Sequence, residues 1–202
     1  MPEGAGFGTL GVMRIILTAL FLVLSLLPAR ADGDLDRIIT PFDDKRIEGF
    51  DKTFKAALAE ARKGGAPEDL AVLNEALKGS PLDIASYEMS GTWKCRVIKL
   101  GGGLPLVVYP NFKCRIGDDG ASYVLTKLTG SQLTGGRFYT MGDTRLIYLG
   151  AGWVSGEKPR KYGDDPKENQ VAYVERRGKN RLVFMFPEPQ YESKLDVMVL
   201  ER

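Results

Sequence analysis

From Tyr87 to Arg202, short apolar and β-branched runs alternate with turn signals such as Gly101-Gly102-Gly103 and Asp119-Gly120. Runs of this length, separated by glycine-rich turns, are typical of antiparallel strands joined by hairpins. Because closure of a sheet removes exposed strand edges, a row of such strands favours an up-and-down barrel or a strongly curled sheet. Residues 153–169 are the long loop in this pattern. The eight expected strands span residues 87–100, 106–117, 121–129, 132–141, 144–152, 170–177, 181–187 and 191–201.

The segment before the strands carries apolar side chains at every third or fourth position, as on one face of a helix. A first helix is expected to begin at Thr40-Pro41, since threonine caps free amides and proline fits the first helical position, and to end at Gly64-Gly65. Pro67 begins a second helix that ends near Gly79. We expect this helical hairpin to pack on the β domain; the alternative is an amphipathic helix that binds a partner. The first apolar stripe comprises Ile47, Phe50, Phe54, Leu58 and Ala61.

The beginning of the chain has the pattern of a secretory signal peptide. Arg14 precedes an uninterrupted run of apolar or small residues over 15–27, and Ala29-Arg30-Ala31 follows it. This run is shorter than the roughly 20 residues that a membrane-spanning helix needs. A basic residue, a short apolar core and a small-x-small site together favour cleavage after Ala31. The alternative is a membrane anchor that stays attached.

The chain therefore divides into three expected parts. These are a signal peptide over 1–31, a helical segment over 32–82 and an antiparallel β domain over 83–202. Residues 1–12 contain an acidic side chain and no basic one, so we expect translation to start at Met13. After cleavage the mature protein is expected to have no membrane span. The expected fold class is α+β, with a helical hairpin before a roughly eight-stranded, lipocalin-like barrel.

The two cysteines lie in the first two expected strands. In an oxidising compartment a lone pair of cysteines usually forms a disulfide. If Cys95 faces Cys114, the neighbouring pairs also lie on the same side of the sheet, because side chains alternate along a strand. We expect a structural disulfide; free buried thiols and a redox pair are the alternatives. This register places the following residues opposite each other: Trp93 with Ile116, and Val97 with Phe112.

Composition excludes several chemistries. The chain has no histidine, which rules out Ser-His-Asp and Cys-His catalysis and histidine metal ligation. Two cysteines alone cannot form a structural zinc site. The formal net charge is only +2, so charge does not predict binding to nucleic acid. We expect no metal and no cofactor.

Candidate catalytic groups are few. Lys127 precedes Ser131 by four residues, and a lysine near a serine is able to activate it as a nucleophile. The spacing is not S-x-x-K, so we favour a turn in which Gln132 bonds to backbone. Glu192 and Asp196 are a candidate carboxylate pair for acid–base or glycoside chemistry. A lysine between them on the same expected strand face favours a solvated charge ladder instead.

Gly91-Thr92-Trp93 resembles the G-x-W signature of lipocalin-like barrels, in which a tryptophan closes the barrel floor. This resemblance implies that Trp93 and Phe112 belong to the barrel core. The chain departs from that pattern in two ways, because a typical lipocalin lacks the helical hairpin and a second lipocalin signature is not found.

A longer resemblance begins with the stretch W-K-C-R-V-I-K-L-G over 93–101, followed by Tyr109-Pro110 and Phe112-Lys113-Cys114-Arg115. Together with the segments below, it is similar to domain-of-unknown-function family 4893, found mainly in secreted proteins of alphaproteobacteria. The resemblance covers nearly the whole mature chain and implies export to a bacterial envelope. It implies no activity. The further matching segments are 39–41, 127–132, 145–150, 175–176 and 189–197.

We therefore expect a non-catalytic periplasmic protein that holds a small apolar ligand in its barrel or contacts an envelope protein. The alternative is an envelope hydrolase that uses carboxylates or Lys127 with Ser131. Arg96 and Arg115 flank the cysteines and point to the opposite face, which suits an anionic partner outside the barrel. The candidate ligand- or partner-binding residues are Arg96, Arg115, Lys127, Ser131, Gln132, Arg176 and Tyr191.

Overall fold

The computed structural model describes residues 35–202. The expected signal peptide and the expected start at Met13 lie outside these described residues. Within them, four helices precede eight strands. The helices are α1 (Leu35–Ile38), α2 (Pro41–Glu48), α3 (Phe50–Gly64) and α4 (Pro67–Ala76); the strands are β1 (Gly91–Leu100), β2 (Leu106–Asp118), β3 (Tyr123–Lys127), β4 (Gln132–Thr140), β5 (Arg145–Val154), β6 (Asn169–Gly178), β7 (Arg181–Pro187) and β8 (Leu195–Glu201).

The eight strands form a closed barrel in which each strand pairs with the next one in the chain. β8 returns to pair with β1, and both strands run antiparallel, so the barrel closes without a free edge. The structure confirms the expected α+β class with an eight-stranded antiparallel barrel. Three strands are each four residues shorter than expected. β1 begins at Gly91 rather than at residue 87, β3 spans Tyr123–Lys127 rather than 121–129, and β8 begins at Leu195 rather than at residue 191.

Gly49 divides the first expected helix into α2 and α3. Its backbone N–H donates to the Lys45 carbonyl at 2.9 Å and so closes α2. Glycine weakens a helix interior because it has more backbone freedom to lose than any other residue. The apolar spacing does not reveal this break, since Ile47 and Phe50 on either side of it are both buried.

The helices pack on the outer face of the barrel. Phe50 of α3 and Leu73 of α4 are buried in one cluster with outward-facing side chains of β1 and β8, such as Ile98 and Val197. The Phe50 ring meets Tyr173 of β6 edge to face, with ring centroids 4.8 Å apart. This packing agrees with the expectation that the helical segment docks on the β domain.

Cys95 and Cys114 form the expected disulfide, with their Cα atoms 5.8 Å apart. The expected register is wrong by two residues, because Cys95 pairs with Phe112 and Cys114 pairs with Trp93. The disulfide is therefore diagonal across β1 and β2. A shift of two residues keeps every side chain on its own face. Alternation thus predicts the buried face correctly and leaves the register along that face undetermined.

Candidate functional site

The barrel interior is filled with side chains at the end where β1 begins and β8 finishes. Trp93 is 1% exposed at this end, and its indole N–H donates to the Met89 carbonyl at 2.9 Å. The Arg202 guanidinium lies 4.2 Å from the Trp93 ring. We call this end the filled half of the barrel. Its interior side chains are Trp93, Cys95, Cys114, Ile116, Leu125, Phe138, Leu146, Tyr148, Val174, Leu182, Phe184 and Leu200.

The opposite end, where β1 finishes and β8 begins, contains a cavity of about 550 Å³. We call this end the open half. Its wall is mixed, because apolar, polar and charged side chains all line it. The apolar and aromatic lining comprises Val97, Tyr109, Phe112, Leu133, Trp153, Val154, Phe186, Tyr191 and Met198. The polar and charged lining includes Arg46, Lys99, Lys127, Ser131, Gln132, Thr134, Lys167, Glu168, Asn169, Gln170, Glu192 and Asp196.

A short chain of hydrogen bonds separates the two halves. The Tyr148 and Thr134 hydroxyl oxygens are 2.7 Å apart, and Thr134 donates to the Gln170 side-chain carbonyl. Tyr148 belongs to the filled half, whereas Thr134 and Gln170 line the cavity. Gly150 leaves room for this chain, because a Cβ there would overlap the Tyr148 hydroxyl. The cavity floor is therefore polar at this point, and both of its hydroxyl groups are hydrogen-bonded.

Lys99 of β1 lies in the cavity wall and forms an ion pair with Glu192, with Nζ and Oε2 2.5 Å apart. Burial by itself lowers the pKa of Lys99. The bond to Glu192 and the negative charge of Asp196 outweigh burial, so the pKa of Lys99 is raised. Lys99 is therefore protonated at neutral pH, and its positive charge is balanced by nearby carboxylates.

Lys127 at the end of β3 is 5% exposed. Its ammonium donates to the Gln132 carbonyl at 2.6 Å and lies 4.0 Å from the centre of the Phe112 ring. Burial, together with the positive charge of Lys99, lowers the pKa of Lys127 to about 8. Among the ion pairs of residues 35–202, none includes Lys127.

Asp196 at the start of β8 accepts a hydrogen bond from the Ser193 hydroxyl. Burial raises the pKa of Asp196 to about 6, although the bond from Ser193 and the charge of Lys99 act in the opposite direction. A carboxyl group that titrates near pH 6 inside a cavity is able to hold or release a proton there. The cavity thus contains one strongly perturbed acid and one strongly perturbed amine.

A buried polar network fixes α2 beside the cavity. The Arg46 guanidinium donates to Asp43 at 2.8 Å and to the Pro187 carbonyl at 3.0 Å. Asp43 also accepts from the Tyr162 hydroxyl at 2.6 Å and from the Asn169 amide at 3.1 Å. Burial by itself raises the pKa of Asp43, but these hydrogen bonds outweigh burial and lower it. The network joins α2, the loop before β6 and the end of β7, so it holds the rim of the open half.

The structure brings some of the sequence-predicted residues together and separates others. Lys127, Ser131, Gln132 and Tyr191 all line the cavity, as does the predicted core residue Phe112. Trp93 is in the filled half. The remaining three candidates lie outside the cavity: Arg96, whose guanidinium donates to Asn111; Arg115, which is exposed; and Arg176, which lies over the Tyr87 ring.

The predicted charge ladder is wrong. Residues 188–194 form a loop in which Glu192 has a φ of 73°, so no strand face exists there. Lys194 forms an ion pair with Glu60 of α3, whereas Glu192 pairs with Lys99. The sequence pattern gives the wrong prediction because the charged residues alternate as they would in a strand. A residue with its backbone in the left-handed region interrupts a strand.

Sequence reasoning missed Lys99, Thr134 and Gln170 as cavity residues. One signal was available for Lys99, because it lies four residues after Cys95 on the same strand and alternation puts both side chains inside. Thr134 and Gln170 gave no such signal, since their positions depend on how β4 and β6 meet across β5.

The fold and the site together define a closed antiparallel barrel that is packed at one end and hollow at the other, with buried charged groups in the hollow. A family model described as Domain of unknown function (DUF4893) matches residues 36–200. The chain therefore belongs to this family, which confirms the longer of the two resemblances seen in the sequence. Neither a curated protein nor a solved structure matches the chain significantly.

Two further observations concern only residues 35–202. No group of three or more acidic or cysteine side chains in this part of the chain is arranged to hold a metal ion. No helix in it is both long and apolar enough to cross a membrane.

Proposed function

We propose that this protein is a non-catalytic binding protein of the bacterial periplasm, and that it holds one small, largely apolar molecule in the open half of its barrel. The observation that carries this proposal is the cavity of about 550 Å³. Pockets for small ligands usually fall between about 300 and 1,000 Å³ and combine an apolar lining with a few placed polar groups. An eight-stranded barrel is also wide enough to hold one such ligand.

The character of the wall supports an apolar ligand. Phe112, Trp153 and Phe186 contribute aromatic surface, and Val97 and Met198 contribute aliphatic surface. Methionine adapts its shape to irregular ligands because its side chain is unbranched and flexible. Binding inside this wall would remove most of the ligand's apolar surface from water. This removal is the main source of affinity for such ligands.

The mouth of the cavity also presents apolar groups to solvent. Val154 is 54% exposed and Tyr191 is 56% exposed, and both line the cavity. Exposed large apolar side chains next to a pocket are typical of ligand entrances. We infer that ligands enter at this end, between the loop 188–194 and the end of β5.

The disulfide supports a location outside the cytoplasm, since such bonds persist mainly in oxidising compartments. The apolar run behind Arg14 is consistent with export by a signal peptide. A periplasmic protein that carries a small molecule, or that passes it to another envelope protein, agrees with both observations.

The alternative is an envelope hydrolase. Its best support is that Lys127, Ser131 and Asp196 line one cavity. Two observations count against it. The Lys127 ammonium donates to the Gln132 carbonyl rather than to a serine hydroxyl, and Glu192 forms an ion pair with Lys99. Loss of hydrolysis of ester or glycoside substrates on Ser131→Ala would favour the enzyme, and a wild-type protein without turnover would favour the binding protein.

The test is a fluorescence titration with the neutral apolar dye N-phenylnaphthylamine. Wild-type protein should bind one dye per chain and increase its emission. Val97→Trp, which fills the cavity from β1, should abolish binding. Thr92→Trp is the matched control, because Thr92 is exposed on the same strand, and it should bind as wild type. Equal binding by the two variants would contradict the proposal.

A further inference from the structure

We propose that the ligand carries one anionic group, and that Lys127 binds this group inside the open half while the apolar body occupies the rest of the cavity. This inference rests on the proposed binding function and adds the chemical class of the ligand: an amphiphile with a single oxyanion at one end.

The charge of Lys127 is buried without a neutralising partner. Its side chain lies in the cavity wall, and its two close neighbours are the Gln132 carbonyl and the Phe112 ring. Both interact favourably with a cation, yet neither carries a negative charge. A buried charge that is not paired with an opposite charge is costly, and proteins rarely keep one without a reason.

Two of the other three cations of the wall have carboxylate partners, and the third, Lys167, is exposed to solvent. Arg46 is paired with Asp43, and Lys99 is paired with Glu192. The negative charge of Asp196 helps to raise the pKa of Lys99, whereas the pKa of Lys127 is lowered by burial and by the positive charge of Lys99. Lys127 is therefore the buried cation of the wall that lacks a carboxylate partner. A negatively charged group of a ligand would be stabilised most beside it. The charged groups that line the cavity are Arg46, Lys99, Lys127, Lys167, Glu168, Glu192 and Asp196.

Lys127 also has free donors for a ligand. An ammonium group has three N–H donors, and the bond to Gln132 uses one of them. An oxyanion can therefore accept from the same ammonium without displacing the backbone carbonyl. Hydrogen bonds to charged groups are the strong ones in a site shielded from water.

The position of Lys127 beside aromatic surface suits an amphiphile. Phe112 lies directly under the ammonium, and Val97 and Met198 continue the apolar wall on β1 and β8. A ligand anchored at Lys127 would place its apolar part against these side chains. A small inorganic anion would leave that apolar wall in contact with water.

The experiment compares two dyes that share one ring system. N-phenylnaphthylamine is neutral, and anilinonaphthalene sulfonate carries a sulfonate in addition. Wild-type protein should bind the sulfonate about tenfold or more tightly than the neutral dye, as expected for one charge-assisted hydrogen-bonded contact. Lys127→Met should remove this preference and keep binding of the neutral dye. Lys127→Gln is a second neutral variant in case the first does not fold.

Lys113→Met is the matched control, since Lys113 is exposed on β2 and its loss changes the net charge by the same amount. It should keep the preference for the sulfonate, and so should Lys127→Arg. Equal affinity of wild type for the two dyes, or a preference that survives Lys127→Met and Lys127→Gln, would overturn the inference and leave the binding function standing. Failure of wild type to bind either dye would overturn the binding function itself.

Discussion

The filled half and the open half of the barrel are built from the same eight strands, and they differ in the side chains at their inward positions. Along β1 the inward side chain changes from Cys95 through Val97 to Lys99. Along β8 it changes from Leu200 through Met198 to Asp196. In both strands the sequence runs from a packed residue to a charged one. The open half is therefore not a poorly packed copy of the filled half.

The open half keeps polar groups that lower stability. Buried lysines, an acid with a raised pKa and a hydrogen-bonded hydroxyl chain cannot pack as tightly as the aromatic and aliphatic side chains of the filled half. A barrel needed only as a scaffold would be more stable with apolar residues at Lys127 and Asp196. We infer that function rather than stability determines these positions.

The largest expected effect separates two phenylalanines on β7. Phe184→Ala should lower the free energy of unfolding by about 3–5 kcal/mol, because Phe184 is fully buried in the filled half. Phe186→Ala should cost at least about 1 kcal/mol less, since Phe186 already borders the cavity and leaves a smaller new void. Urea denaturation of both variants measures this. Equal losses of unfolding free energy in the two variants would contradict the claim that only the filled half is tightly packed.

The disulfide should stabilise the filled half. Replacing both cysteines, as Cys95→Ala with Cys114→Ala, should lower the free energy of unfolding by about 3 kcal/mol. The disulfide joins two residues that are 19 positions apart, so it restricts the unfolded chain. Under conditions in which this variant is folded, it should still bind the dye, since neither cysteine lines the cavity. Loss of dye binding in a variant that is still folded would show that the two halves are coupled.

Lys127→Met should raise stability. At pH 7 the buried ammonium is destabilising, so an apolar side chain of similar length should increase the free energy of unfolding by about 2–3 kcal/mol. The gain should shrink as pH rises from about 8 towards 10.5, because folded wild type releases the Lys127 proton in a range where the unfolded chain still holds it.

Lys113→Met is again the control for that measurement and should change stability by less than about 0.5 kcal/mol at either pH. A loss of stability in Lys127→Met at pH 7 would mean that the bonds to Gln132 and Phe112 outweigh the cost of burying the charge.

The smallest expected effect concerns Asp196. Its pKa is about 6 in the folded protein and near 3.8 in the unfolded chain, so wild type should lose stability as pH rises from about 4 to about 6. The expected loss is about 1–2 kcal/mol, reduced from the full shift because the cavity admits water. Asp196→Asn should lack this part of the pH dependence. Parallel stability curves for the two proteins would contradict the assignment.

Side-chain alternation predicted the fold and the faces, because a period of two fixes which residues point inward. It placed Trp93 and both cysteines inside and Arg96 and Arg115 outside, as the structure has them. It could not predict where the interior stops being filled. That boundary depends on the Tyr148 hydroxyl of β5, which meets Thr134 of β4, and through it Gln170 of β6, only when the barrel is assembled.

The burial of Lys127 was equally inaccessible to the sequence. Lys127 stands at the end of a strand, where a charged residue is usually solvated. It is buried because Phe112 of β2 and the backbone of β4 enclose its ammonium from two neighbouring strands. The long loop at 153–169 was expected, but its role in holding Asp43 through Tyr162 required the tertiary structure.

The most direct test of the open half as a ligand-binding cavity is native mass spectrometry of the protein purified gently from its own cells. We expect a reproducible adduct of one small molecule per chain, released by mild activation and absent from Val97→Trp. A bare mass for the wild-type chain, identical before and after activation, would contradict the ligand-binding proposal and would favour a barrel that acts through contacts with other proteins.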